Sequence, residues 1–236
     1  MSTKPTALIT GASRGIGRAI AIHLAEKGYH TVLTGRNKSS LEESQEMVVK
    51  AGDTDCKVIA ADLMDSADIV QLIERAGETI DVLVNNAGLL HAKPFLELTD
   101  AEIEDMLNLN LIAIMRLTRL VLPQMLKRES GSIVNIASIA AKNGFAGGTG
   151  YCASKFALRG FSTALMQEVR SKNVRIISVL PGSVDTGMIA RYDAAPTQES
   201  MLQPEDVAAS VYAALSMPAR ATVSELELRP SNPQKR

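Results

Sequence analysis

Seven short runs rich in strand-forming residues punctuate the chain: TALIT (6–10), HTVLT (30–34), KVIAA (57–61), DVLVNN (81–86), GSIVNIAS (131–138), VRIISVLP (174–181) and TVSELEL (222–228). Several are apolar without alternation, the pattern of strands covered on both faces. Longer stretches with helical spacing lie between them. GRAIAIHLAEKG (17–28) places Ala19, Ile20, Ala21 and Leu24 at that spacing and stops on Gly28. LTDAEIEDMLNLNLIAIMRLTRLVLPQMLKRE opens on Thr99 with Glu102 three residues later, a capping box, and Pro123 is expected to kink this helix or lie near its end. ASKFALRGFSTALMQEVRSK (153–172) is apolar over much of its circumference, so it is buried or pairs with another helix. PEDVAASVYAALSM (204–217) begins with Pro204 at a helix entrance. Alternating strand and helix imply an α/β architecture: a doubly wound, seven-stranded parallel sheet with helices on both faces.

A chain of 236 residues, 46% of them hydrophobic, can build one large core of this kind. No repeat, low-complexity tract or linker divides it, so residues 1–236 are read as a single domain with a frayed polar tail, RPSNPQKR. Charge is balanced, 25 basic against 26 acidic residues, which gives no reason to expect nucleic acid or an anionic membrane as partner. Aromatic residues make up 3% and Trp is absent, against a base-stacking surface. Cys56 and Cys152 are too few and too far apart for a disulfide framework or a metal site. The start is polar and no run of about 18 apolar residues occurs, so neither a signal peptide nor a membrane span is expected, and the expected location is cytoplasmic.

The first strand runs into TGASRGIG, Thr10 to Gly17. Glycines in a strand-to-helix turn let the backbone approach a phosphate, and the helix N-terminus supplies free N–H groups and a favourable dipole. The spacing differs from the common G-x-G-x-x-G, but its place after the first strand points to a dinucleotide site in a Rossmann fold. At the end of the second strand such folds meet the adenosine ribose: a carboxylate there suits the 2′-hydroxyl of NAD, an arginine the 2′-phosphate of NADP. This chain offers Gly35 and Arg36, with no carboxylate until Glu42, and Arg14 could approach the same phosphate from the turn. Asp62, in AADL, could accept a hydrogen bond from an adenine amino group or cap the next turn.

Tyr151 and Lys155 stand four apart in YCASK at the opening of a helix, hence on one face. A nearby ammonium and the helix N-terminus both favour a phenolate and lower the phenol pKa. Ser138 closes a buried strand at its carboxyl edge, where ligands bind in such sheets, and could hold a carbonyl oxygen.

Taken together these motifs resemble the short-chain dehydrogenase/reductase family. TGASRGIG resembles its T-G-x-x-x-G-x-G, NNAG (85–88) its motif after the fourth strand, Asn110 in NLNL its helix asparagine, Ser138 with Tyr151 and Lys155 its S…Y-x-x-x-K, and PGSVDT (181–186) its P-G-x-x-x-T. The resemblance runs in order from residue 6 to about 188 and implies an NADP(H)-dependent oxidoreductase. It implies that Tyr151 is the general acid, that Lys155 lowers the pKa of Tyr151 and holds the nicotinamide ribose, that Ser138 orients the substrate oxygen, and that Asn110 binds a water linking Lys155 to solvent. Cofactor contacts are expected from Gly11, Ser13, Arg14, Gly15, Ile16, Gly17, Arg36, Asp62, Leu63, Asn86, Ala87, Gly88, Tyr151, Lys155, Pro181, Gly182, Val184 and Thr186.

Substrate choice is expected in the loop of about 182–203, with Met188, Ile189 and Tyr192 as a small apolar lid and AAKNGFAGG (140–148) as the opposite wall. The chain resembles 3-oxoacyl-carrier-protein reductases most over its first 180 residues, and Lys127, Arg128 and Arg159 could form a basic rim for an acidic carrier protein. Its ending, VSELELRPSNPQKR, departs from the glycine-rich close of that subgroup and looks more like reductases of hydroxy acids and miscellaneous carbonyls. The expected activity is reduction of a 3-oxoacyl thioester (on an acyl-carrier protein or CoA) or of a small keto or aldehyde compound. The alternatives are oxidation of 3-hydroxy acids or small alcohols, and an NADP-sensing protein without turnover, against which the intact Asn110, Ser138, Tyr151 and Lys155 argue. The family often forms homodimers or homotetramers through its two long helices, here about 99–126 and 151–172.

Overall fold

The computed structural model describes residues 4–188 and 200–231. Seven strands form one sheet: β1 (Thr6–Thr10), β2 (His30–Gly35), β3 (Lys57–Ala60), β4 (Val82–Asn85), β5 (Gly131–Ile136), β6 (Val174–Pro181) and β7 (Glu225–Leu228). All pairings are parallel, in the order β3-β2-β1-β4-β5-β6-β7. The chain winds outward from β1 in one direction and from β4 in the other. The crevice at the carboxyl ends of β1 and β4 is therefore the topological switch point.

The described residues form seven α-helices, α1 (Gly15–Glu26), α2 (Lys38–Lys50), α3 (Ser66–Ala76), α4 (Asp100–Leu107), α5 (Ala113–Arg128), α6 (Thr149–Val169) and α7 (Pro204–Leu215); α4 packs beside α6, and the others cover the two faces of the sheet. Strand residues alternate between the two cores. Ala7, Ile9, Val84, Val134 and Ile177 join α1, α2 and α7 on one side. Leu8, Leu83, Ile133 and Ile176 join α3, α5 and α6 on the other. Both faces are dry, which is why the runs read as continuously apolar rather than alternating.

Local signals act where they are expected. Thr99 and Glu102 form the reciprocal capping box of α4, and Pro204 sits in the first turn of α7. Asn37 caps α2 by accepting from Ser40 N, which leaves Arg36 in the short connection between strand and cap.

The long helix meets the second of the two expectations for Pro123 and adds an irregularity that was not expected. Pro123 lies inside α5 near its carboxyl end, and the irregularity falls earlier, in a π-turn over Asn108–Ile112 that joins α4 to α5. By length and composition the composite helix Asp100–Arg128 could cross a membrane. Its apolar stripe of Leu117, Val121 and Met125 is buried against the sheet, and Arg116 and Arg119 are exposed, so it is a core helix of this domain.

Candidate active site

The turn between β1 and α1 is shaped by two left-handed glycines, Gly11 (φ 62°) and Gly15 (φ 55°). Gly17 has another reason: a side chain there would run into Gly11 O and Asn86 Nδ2. Asn86 pins the turn from below, donating from Nδ2 to Thr10 O at 2.9 Å and Gly11 O at 3.2 Å. Thr10 Oγ1 closes the link by donating to Val84 O and accepting from Asn86 N and Ala87 N. This role of Thr10 escaped sequence reasoning because its partners lie more than 70 residues away. Arg18 also went unread; its guanidinium holds Ser13 O and Ser44 Oγ, tying the turn to α2.

Arg14 occupies the N-cap of α1 and supplies no side-chain acceptor, so the first-turn N–H groups keep no cap. Gly15 and Ile16 line a cavity of about 700 Å³ at the switch point. Arg14 and Arg36 line it too, exposed, and neither forms an ion pair or side-chain hydrogen bond among the described residues. Asp62 and Leu63 lie at the same end. Asp62 lines the cavity, and its Oδ1 accepts from Met64 N at 3.0 Å, the turn cap that is one of its two expected roles.

At the other end of the cavity stand Ser138, Tyr151 and Lys155. β5 ends at Ile136, so Ser138 falls just beyond the strand rather than closing it, and caps a short 3-10 turn by accepting from Ala140 N at 3.1 Å. α6 begins at Thr149 and presents Tyr151 and Lys155 one turn apart. The Lys155 Nζ lies 5.7 Å from the Tyr151 ring centroid and donates to Ile136 O at 3.0 Å. Lys155 is 4% exposed, and that burial lowers its pKa from 10.5 to about 8. A Cβ at Gly88 would lie 3.1 Å from Asn110 Oδ1 and 3.7 Å from Lys155 Nζ, so a side chain there would press on Asn110.

Asn110 is fully buried and sits behind the cavity wall, not in it. Its Oδ1 accepts from Leu89 N, and its Nδ2 donates to Leu89 O and to Ser154 Oγ, all at 2.9–3.0 Å. Both amide protons are thus committed to protein. A water could reach this residue only at Oδ1 or at its backbone carbonyl. Ser154, unread from sequence, passes the link on to Tyr151 O at 2.7 Å.

Of the remaining expected contacts, Gly11, Ser13, Asn86, Ala87, Gly88, Pro181, Gly182, Val184 and Thr186 line the cavity; Gly17 does not. Met188 and the segment from Ala140 to Ala146 form walls as expected, whereas Ile189 and Tyr192 lie outside the described residues. Of the three cations read as a basic rim, Lys127, Arg128 and Arg159, the two arginines are engaged within the chain. Arg159 Nε is bound to Glu225 at 2.6 Å, and Arg128 to Gln124, Ile80 O and Asp81. Each had a partner too distant in sequence to be foreseen.

A phosphate cradle and a phenol–ammonium pair in one crevice define an oxidoreductase that works with a bound dinucleotide. The sequence matches the short chain dehydrogenase family over residues 5–197, and the chain belongs to that family. It is 39% identical over 237 residues to a sepiapterin reductase of Chlorobaculum tepidum, covering 95% of this chain and 96% of that one. It is 33% identical over 231 residues to an uncharacterized oxidoreductase of Staphylococcus aureus, covering 97% and 98%. Among solved structures, an alcohol dehydrogenase from the archaeon Thermococcus sibiricus complexed with 5-hydroxy-NADP superposes with a TM-score of 0.88 at 30% identity, over 97% of both chains.

Proposed function

We propose that the protein is an NADPH-dependent carbonyl reductase acting on a 3-oxoacyl thioester or a small ketone or aldehyde. The observation that carries this reading is that one cavity holds, at one end, two arginines with no ion pair among the described residues and, at the other, Ser138, Tyr151 and Lys155. Arg14 and Arg36 suit a dianionic 2′-phosphate, which the NADP analogue of the Thermococcus structure also carries. The uncapped first turn of α1 suits the pyrophosphate.

The dinucleotide, when bound, supplies the hydride. Ser138 holds the substrate oxygen by hydrogen bonding and so fixes the carbonyl in line. Tyr151 gives its phenolic proton to that oxygen as negative charge develops. The Lys155 ammonium lowers the cost of the resulting phenolate; although burial lowers its pKa to about 8, it remains mostly charged at neutral pH. Asn110 and Ser154 hold the helix that carries Tyr151. The reverse oxidation of an alcohol uses the same groups in the opposite order.

We extend the proposal to the assembly: a homodimer or homotetramer through α5 and α6, supported by the exposed Met115, Leu120 and Phe156. A cytoplasmic setting is supported by the free state of Cys56 and Cys152. With Arg128 and Arg159 engaged by their own chain, docking of an acidic carrier protein has little left to rest on, and small carbonyls are favoured.

Tyr151→Phe tests the mechanism: NADPH fluorescence should still report binding, while turnover falls by at least about 1000-fold. An unchanged rate would remove Tyr151 from the chemistry. Arg36→Asp should weaken NADPH much more than NADH; an unaltered preference would refute the phosphate assignment.

A further inference from the structure

The cavity is electrically lopsided. Among the described residues its charged lining side chains are Arg14, Arg36, Asp62 and Lys155. The first three stand at the glycine-turn end, and Lys155 lies behind Tyr151 against Ile136 O. Beyond Ser138 and Tyr151 the wall is Leu89, Leu90, Ala92, Phe145, Ala146 and Met188. Phe145, 46% exposed, tilts at 60° to the Tyr151 ring with centroids 6.5 Å apart, so an apolar surface lies beside the reacting phenol for a ligand to cover.

Two lysines beside this wall are already paired with carboxylates. Lys93 and His91 flank wall residues Ala92 and Leu90. Glu102 binds the Lys93 ammonium directly and lies 3.7 Å from His91 Nδ1. Lys93 holds the Glu102 carboxyl far below its usual range, at about 2, so this carboxylate stays charged through the neutral range. Lys142, next to the lining residue Asn143, lies between Glu225 at 2.6 Å and Glu227 at 2.9 Å. A substrate carboxylate entering here would lose water and find Lys93 and Lys142 already paired, with Arg14 and Arg36 at the glycine-turn end and Lys155 donating to Ile136 O behind Tyr151. Desolvation of an unpaired carboxylate is strongly unfavourable.

Resting on the carbonyl-reductase reading, we propose that the site takes neutral carbonyl compounds with an apolar or aromatic body and rejects those that carry a carboxylate. Free keto acids and hydroxy acids are then poor substrates, and esters, simple ketones and aryl aldehydes good ones.

A matched pair tests this: 4-formylbenzoate and its methyl ester, which differ in charge and keep the aldehyde. With wild-type protein and NADPH, kcat/KM for the ester should exceed that for the acid by roughly 100-fold. Equal values, or a faster acid, overturn the proposal. Dissociation constants for both compounds are also measured on Tyr151→Phe saturated with NADPH, where turnover is not needed. If the ester binds more tightly than the acid but wild type reduces neither, the neutral-ligand assignment stands and the carbonyl-reductase reading fails. If the acid binds as tightly as the ester, or neither binds, the assignment itself is wrong.

Discussion

Lys155 costs the fold stability, and the cost can be measured. Burial moves its pKa from 10.5 to about 8, and each unit of such a shift corresponds to about 1.4 kcal/mol. The charged side chain therefore destabilises the native state by about 3 kcal/mol at neutral pH. The folded pKa is the lower of the two, so between pH 8 and 10.5 the unfolded chain binds more proton than the folded one. The penalty is fully present below pH 8, shrinks as pH rises, and is gone above about 10.5. Lys155→Met removes the charge and leaves Ile136 O without the lysine donor, a loss of about 1–3 kcal/mol that does not depend on pH. The variant should thus equal or exceed wild type in stability at pH 7, while losing activity. Its advantage over wild type should fall by about 3 kcal/mol between pH 7 and 10.5. Urea unfolding of both cofactor-free proteins, followed by circular dichroism at several pH values, reads this difference while cancelling the titration of groups that Lys155 does not touch; Tyr151→Phe as a common background removes the one phenol that it does. For a chain of this size, about 2–4 °C of melting temperature per kcal/mol gives a thermal cross-check. A difference that stays flat with pH would refute the assignment of a buried, charged Lys155.

Two further substitutions address the supports of the site. Ser154→Ala leaves one Asn110 amide proton unpaired in a fully buried position and should cost about 1–3 kcal/mol of stability. It should also lower kcat with NADPH affinity retained; a lower melting temperature with unchanged kcat would make this a structural bond only. Gly17→Ala drives a methyl group into Gly11 O and Asn86 Nδ2, so the turn must shift. A loss of about 1–3 kcal/mol and at least about tenfold weaker NADPH binding are expected, read by thermal melting and cofactor fluorescence.

What was legible in the sequence was whatever local pattern dictates. Continuous apolar runs gave the strands because both faces are covered, and the Thr99–Glu102 and Pro204 signals gave the helix starts. The glycine turn and the Tyr151–Lys155 spacing were legible because their chemistry depends on neighbours within one turn. The rest depends on partners far along the chain. NLNLI contains no Gly or Pro, so nothing local marks a π-turn there; Asn110 is instead held by Leu89 and Ser154, 21 and 44 residues away. Arg159 reads as a free surface cation until β7 brings Glu225 to it across 66 residues. The strand expected over 222–228 shortens to Glu225–Leu228, an edge strand whose glutamates are occupied by Lys142, Arg159 and Arg229.

The π-turn at Asn108–Ile112 bears on any attempt to make this protein more thermostable. A π-turn amounts to one surplus residue in an otherwise regular helix, and such surpluses concentrate where function needs them. Deleting one residue from 108–112 would let α4 and α5 fuse into a regular helix, the kind of change that stability-driven redesign rewards. It would also turn every side chain on one arm by about 100° relative to the other, carrying Asn110 away from Leu89 and Ser154. The straightened enzyme would be a better helix with a displaced catalytic wall, so a library selected on melting temperature alone should be expected to enrich for inactive protein at this one position.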